Sequence, residues 1–204
     1  TDNAGIYKSI DGGLSWQPWH NGLGRAWVYS LVIDPQNPEV LYAGTLLGGV
    51  YKTADGGKNW RAANNGVDDT KGWEWFSIVV MNPGDSRHLY YTQANELYES
   101  KDAGESWTRV FQHGCPRAMV SLIVDPAGGS QLFSVQTYSE GKCPGGVYRS
   151  ADGGRSWELA APLARDSFWK MAVDTQRGDH LYVYDGSEVH HSGDHGQTWE
   201  QLTQ

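Results

Sequence analysis

One short motif returns five times along the chain, and its spacing constrains the fold more than any other feature. The copies read "GIYKSIDGGLSW", "GVYKTADGGKNW", "ELYESKDAGESW", "GVYRSADGGRSW" and "EVHHSGDHGQTW". Their acids are Asp11, Asp55, Asp102, Asp152 and Asp194, separated by 44, 47, 50 and 42 residues. A period in the forties matches four-stranded blades arranged around an axis, as in a β-propeller.

Each copy can be read as a hairpin staple. Residues before the acid, such as Val50, Tyr51 and Lys52, form one strand, and the tryptophan starts the next. Between them the Asp side chain can accept backbone N–H groups in an Asx-type turn. The glycines two positions on (Gly13, Gly57, Gly104, Gly154 and Gly196) can take a positive φ. The rings of Trp16, Trp60, Trp107, Trp157 and Trp199 are expected to bury between strands. A catalytic acid or a metal loop is the competing reading, but the same acid in every unit argues against a single catalytic centre.

The rest of the chain has an all-β texture. It carries 26 glycines, 10 tryptophans and 11 tyrosines, and short Val, Ile, Leu, Tyr and Trp runs alternate with Gly, Asn, Asp and Pro clusters. The 204 residues are enough for one sizeable core or two small ones. The formal charge is −8 with acids and bases mixed, so no basic stripe exists for nucleic acid. The longest apolar runs, such as "SIVVM", fall far short of the ~20 residues that cross a bilayer. No signal peptide is visible; the opening "TDNAGIYKS" reads as the middle of a fold, which suggests a removed signal or a longer parent protein.

The segments between motifs repeat as well: "YSLVIDPQNPEVLYAGT", "FSIVVMNPGDSRHLYYT", "VSLIVDPAGGSQLFSV" and "WKMAVDTQRGDHLYVY". Each supplies strand one, an apolar run such as Leu31, Val32 and Ile33, and then strand two. Continuous apolarity predicts a strand one covered on both faces. The expected architecture is a propeller of four complete antiparallel blades, about 26–63, 73–110, 117–160 and 167–203, after a two-stranded half blade at 4–19. These form one propeller domain or a segment of a larger one. The half blade has strands three and four only. A missing segment or another chain would close such a propeller, or the ring is open; the segment is favoured because an open edge is a pairing hazard.

The octets resemble the Asp-box, or BNR, repeat, Ser-x-Asp-x-Gly-x-Thr/Ser-Trp. Sialidases, xyloglucan-specific endoglucanases, sortilin-type receptors and photosystem II assembly factors carry it. The resemblance covers nearly the whole chain, with departures at Thr53, Asn59, Ala103 and His195. It implies that the boxes lie at the blade periphery, away from the usual binding face. It selects no single function, because the family holds both enzymes and binding modules.

Specific recognition is expected on loops before strand one and between strands two and three, which share the opposite face. These loops include 20–27, 64–75, 112–119, 136–146 and 161–169. Trp27, Trp73, Trp75, Tyr138 and Trp169 concentrate there and form the candidate ligand-binding set, because aromatic faces beside acids and amides suit sugar rings. The alternative is packing between blades, which the equivalence of Tyr29, Phe76, Val120 and Trp169 favours for those four. Asp68, Asp69 and Asp166 are the weak catalytic candidates, as loop carboxylates for glycosidase chemistry. The arginine trio of sialidases has no counterpart, and xyloglucanase-like enzymes need two propellers around a cleft. "HHSGDH" at 190–195 invites a metal reading, but Asp194 is a box acid and His190 and His191 alternate across a strand. No metal and no cofactor are expected.

Cys115 and Cys143 fall in two loops of one blade on one face, so a disulfide is geometrically feasible; two free buried thiols are the alternative. A bridge would fit the secreted, periplasmic or cell-surface location common in the resembled family. The residues point to a non-catalytic extracellular module that binds a polysaccharide or protein. A segment of a secreted glycoside hydrolase and a structural unit of an extracellular assembly are the alternatives.

Overall fold

The computed structural model describes residues 5–24, 26–46, 48–68, 77–93, 95–112, 114, 119–126, 129–136, 144–162, 170–184, 186 and 188–202. They form strands and turns, with no helix among the described residues. A two-stranded sheet comes first, β1 (Tyr7–Lys8) and β2 (Gln17–Pro18). Four four-stranded antiparallel sheets follow, each a simple meander. The first comprises β3 (Trp27–Ile33), β4 (Leu41–Leu46), β5 (Gly49–Thr53) and β6 (Arg61–Ala62). The second comprises β7 (Ile78–Asn82), β8 (Asp85–Gln93), β9 (Glu96–Ser100) and β10 (Thr108–Gln112). The third comprises β11 (Met119–Val124), β12 (Leu132–Gln136), β13 (Gly146–Ser150) and β14 (Glu158–Pro162). The fourth comprises β15 (Lys170–Val173), β16 (Leu181–Tyr184), β17 (Val189–Ser192) and β18 (Glu200–Leu202). First strands neighbour one another in chain order, β3 by β7, β7 by β11 and β11 by β15. The molecule is a β-propeller.

Local chemistry explains the turns. Between strands one and two, Asp34 Oδ1 accepts the N–H groups of Gln36 and Asn37, and Asp174 does the same for Gln176 and Arg177. These Asx turns reverse the chain without burying unpaired backbone.

The core lies between blades rather than within them, as a two-faced sheet requires. One cluster joins Tyr42 and Val50 of the first complete blade to Val79, Met81, Leu89, Tyr91, Tyr98 and Trp107 of the second. Another joins Tyr90 and Leu97 of the second to Met119, Leu122, Val124 and Leu132 of the third. A polar latch reinforces that second seam. Buried Glu99 takes His88 Nε2 at 2.8 Å, Arg155 Nη2 at 2.9 Å and Lys101 Nζ at 3.4 Å. Burial pushes the Glu99 carboxyl up, but these three partners outweigh it and hold it below the usual range.

Strand one departs from the expectation of cover on both faces. Opposed residues of an antiparallel pair share a face. Leu31 therefore goes with Ala43 and Ile33 with Leu41; the register equivalents are Val79 with Tyr91 and Met81 with Leu89, then Leu122 with Ser134 and Val124 with Leu132. The equivalents are buried, at 3% and 8% and at 4% and 5% exposure, whereas Leu31 and Ile33 are 46% and 51% exposed. In the second and third complete blades this face packs on the preceding blade. Among the described residues the sheet before β3 holds β1 and β2, and they do not cover the inner part of this face.

Candidate functional site

The two ends of the blades differ in chemistry. At one end lie the boxes, and their acids bond within their own turns. Asp152 Oδ1 accepts the N–H groups of Arg155 and Ser156 at 2.9 Å and the Ser150 hydroxyl at 2.8 Å, while Oδ2 accepts the Ser156 hydroxyl at 2.6 Å. Ser150 Oγ in turn accepts the N–H of Gly154 at 2.8 Å. Asp11, Asp55, Asp102 and Asp194 sit in the same pattern. The hydroxyl of Ser156 and then its N–H hold the Asp152 carboxyl down at about 2.

Sequence reasoning missed one feature of these turns. The residue directly after each acid also has a positive φ, and in two boxes it is not glycine: Ala103 at 60° and His195 at 56°. The irregular residues at those positions were the only signal.

The box tryptophans are not uniformly buried. Trp60 and Trp107 are buried, and their Nε1 groups donate to Trp19 O at 3.0 Å and Ala63 O at 2.8 Å in the preceding sheet. Trp16, expected to be buried, is 62% exposed and donates to its own turn at Gly13 O. No sheet precedes β1 among the described residues, so that ring has nothing to pack on.

A cleft of about 400 Å³ lies beside the first complete blade's box, lined by Lys52, Asn59, Trp60, Arg61 and Glu105 among others. Its charges are mutually paired, with Lys52 Nζ 2.8 Å from Glu105 Oε1 and Arg61 on the same oxygen. The Lys52 contact, ahead of Arg61, holds the Glu105 carboxyl below its usual range.

Replacing Asp152 by Ala removes four bonds from an exposed turn. Solvent moderates the loss. By analogy with losing a capping side chain, the expected cost is about 1 kcal/mol. That corresponds to a melting temperature roughly 2–4 °C lower for a chain of this size. Calorimetry checks the value; an unchanged transition with lost ligand binding would reassign the acid to a binding role.

At the opposite end lie the starts of strand one and the turns between strands two and three. Trp27 opens β3 there and is 59% exposed. Asn64 closes the first complete blade at this end, accepting Val50 N at 2.7 Å and donating to Gly48 O at 2.8 Å. In the second blade a buried cluster holds the start of the 64–75 loop. Arg109 Nη1 meets the buried Glu96 Oε1 at 2.6 Å, and Tyr98 Oη donates to Glu96 Oε2 at 2.7 Å. Asp68 N donates to Tyr98 Oη at 3.3 Å, and Asp68 O accepts Gln93 Nε2 at 3.2 Å. Burial and then the Glu96 bond push the Tyr98 hydroxyl above the ordinary range. Asp68 thus presents its backbone to this cluster.

A second feature escaped the sequence reading. Thr45, Gln93 and Gln136 occupy one register position, the fifth residue of each second-strand repeat ("LYAGT", "LYYTQ", "LFSVQ"), opposite Gly49, Glu96 and Gly146. They place one hydroxyl and two amide groups at the same level of three blades, just inside this end. Thr45 Oγ1 donates to Gly49 O, while Gln93 Oε1 and Gln136 Nε2 are buried without a hydrogen-bond partner among the described residues. Alignment of the four repeats carried the signal.

Of the other sequence candidates, Trp73, Trp75, Tyr138, Trp169, Asp69 and Asp166 lie outside the described residues, as do Cys115 and Cys143. In "HHSGDH", His191 Nε2 lies 2.9 Å from His180 Nδ1 and its Nδ1 lies 3.0 Å from Glu200 Oε1. Among the described residues no group of three or more His, Cys, Asp or Glu side chains is placed to hold a metal ion.

Solved structures share the fold at low identity. An ancestral GH74 enzyme is 19% identical with a TM-score of 0.70, and 98% of this chain aligns with 26% of that one. The GH74 xyloglucanase from Xanthomonas campestris is 16% identical with a TM-score of 0.62, all of this chain aligning with 43% of that one. YCF48 bound to D1 peptide is 18% identical with a TM-score of 0.50, covering 98% of this chain and 74% of that one. The chain therefore spans about a quarter of the ancestral enzyme and less than half of the Xanthomonas one. No curated protein sequence matches it. A family model described as sortilin, neurotensin receptor 3, matches residues 48–182, from the end of the turn before β5 into β16. Matched over more than half of its length, this Asp-box propeller chain belongs to the Sortilin-Vps10 family.

Proposed function

We propose that this chain is a non-catalytic, extracellular binding module whose loop end takes a polypeptide or a polysaccharide. The observation that carries the reading is the contrast between the two ends. Box acids are consumed by their own turns, whereas the loop end combines the exposed Trp27 with Thr45, Gln93 and Gln136, of which Gln93 Oε1 and Gln136 Nε2 have no hydrogen-bond partner among the described residues. An exposed indole with amides that can both donate and accept suits an amide backbone or a sugar ring. YCF48, which shares the fold, was solved bound to D1 peptide, and this supports the polypeptide class.

The test uses titration with xyloglucan oligosaccharides and with a library of extended peptides. Trp27→Ala is expected to weaken the bound class about tenfold, the scale of losing one aromatic contact. Its melting temperature should stay within about 2 °C of the parent, because more than half of the ring already faces water. Release of reducing ends from xyloglucan would replace this reading with hydrolase chemistry. Trp73→Ala and Trp75→Ala extend the same test to the 64–75 loop.

The extracellular location is part of the proposal, with Cys115 and Cys143 bridged. Non-reducing peptide mapping is expected to recover them in one linked fragment. Alkylation of both thiols in native, unreduced protein would overturn the bridge.

A further inference from the structure

The outer half of the first complete blade departs from its sister blades in one cross-strand pair. The residue before each box Ser or Thr faces a strand-four residue across the sheet, and like charges directly opposite one another are unfavourable there. The other sheets avoid this: Lys8 faces Gln17, Glu99 faces Thr108, Arg149 faces Glu158 and His191 faces Glu200. In the first complete blade Lys52 faces Arg61. These two cations line the cleft of about 400 Å³ beside that blade's box, a size that suits a bound ligand. Glu105 answers both with a single oxygen, Oε1, reaching across from the box turn of the second complete blade. The nearby box acids Asp55 and Asp102 are engaged by their own turns. Two cations against one carboxylate leave a local positive charge in a chain of net charge −8.

We propose that this cleft binds an acidic side chain of a partner polypeptide, whose carboxylate replaces that of Glu105 between Lys52 and Arg61. Glu105 is the internal template, a glutamate that reaches both cations from a different sheet. Its side chain is half-exposed and sits on a turn, so it can swing out to water. Lys52 is nearly buried, held by Ala103 O at 2.8 Å and lying over the Tyr42 ring. It is therefore in place before a ligand arrives, which lowers the ordering cost of binding. The planar guanidinium of Arg61 matches a carboxylate with two parallel N–H bonds. Ala54 and Trp60 supply apolar lining for the aliphatic stem of such a side chain. A polypeptide is favoured over an acidic glycan because β6, which carries Arg61, is the last strand of its sheet, and its outer edge offers main-chain pairing that a sugar does not reproduce. The cleft lies at the box end, so this proposal does not rest on the reading of the loop end.

The probe is fluorescently labelled hexaglutamate, with hexaglutamine and oligogalacturonate as controls. Physiological ionic strength screens repulsion by acids more than about 8 Å away. Anisotropy is expected to show saturable binding of one hexaglutamate per chain and none of hexaglutamine. Glu105→Gln removes the internal competitor and is expected to tighten binding about tenfold, a gain that a purely structural role for Glu105 would not produce. Arg61→Thr copies the residue at this position in the second complete blade and is expected to weaken binding about tenfold. Glu105→Asp, shorter by a methylene, should shift affinity in the same direction as Glu105→Gln if the amide variant folds poorly, which circular dichroism monitors. Hexaglutamate binding no better than hexaglutamine overturns the proposal, as does affinity unchanged in both Glu105 variants. Oligogalacturonate binding more tightly than hexaglutamate, and losing that binding in Arg61→Thr, would also overturn it, by making an acidic glycan the occupant.

Discussion

Trp107→Ala is expected to destabilise the propeller by about 3–5 kcal/mol, the range for deleting a large buried ring. Trp107 is 4% exposed and packs edge-on to Tyr91 at 5.9 Å between centroids. Its cluster spans the first and second complete blades, and its Nε1 bond to Ala63 O crosses the same seam. Truncation leaves a cavity between blades and an unpaired carbonyl. Trp16→Ala removes the same motif residue from a ring that is 62% exposed, so that variant is expected to stay close to the parent. Urea unfolding of the two variants side by side checks this. Equal losses would mean that the tryptophan acts within its own turn and that inter-blade packing is not what it supplies.

Acid is expected to weaken the fold through all five boxes together. Asp11, Asp55, Asp152 and Asp194 are each held down at about 2, and Asp102 is lowered as well. The leading causes are the hydroxyls of Ser15, Ser156, Thr198 and Ser106 and, for Asp55, the Asn59 N–H. A folded-state pKa below the unfolded value of about 3.9 stabilises the fold above that value. That contribution disappears as pH falls through about 4 towards 2, because the unfolded chain takes up the protons first. Every box carboxylate is exposed or nearly so, and solvent keeps each single contribution small. Five of them titrating in one window make the slope measurable. The urea midpoint followed from pH 6 to pH 2 should fall mainly below pH 4, and Asp152→Asn should flatten the fall. A midpoint independent of pH in that window would show that the turns do not depend on the charged form.

The repeat could be read because each box folds from its own residues. Acceptor, donors and positive-φ positions all lie within eight residues, as from Ser150 to Trp157. The apolar run and the second-strand pattern were legible for the same reason, since strand periodicity is local. The loop end was only partly legible. Trp27 stood out as an aromatic in a variable loop. Thr45, Gln93 and Gln136 did not, because nothing marks a lone polar residue at a strand end until the register places it at the same level of three blades.

Taken alone, the amino-acid order determined the four-stranded unit, its number of copies and the turn chemistry of each box. Those properties depend on groups a few residues apart, whose geometry the backbone settles without help from other blades. Only the tertiary structure decided which copies of an identical motif are buried. Trp107 and Trp16 occupy the same place in the octet, and Val79 and Leu31 the same place in strand one, yet one of each pair is covered and the other faces water. Burial here is a contact between neighbouring sheets. Its value at any position depends on which strands of a neighbouring sheet lie against it, a property of the assembled propeller that no single repeat contains.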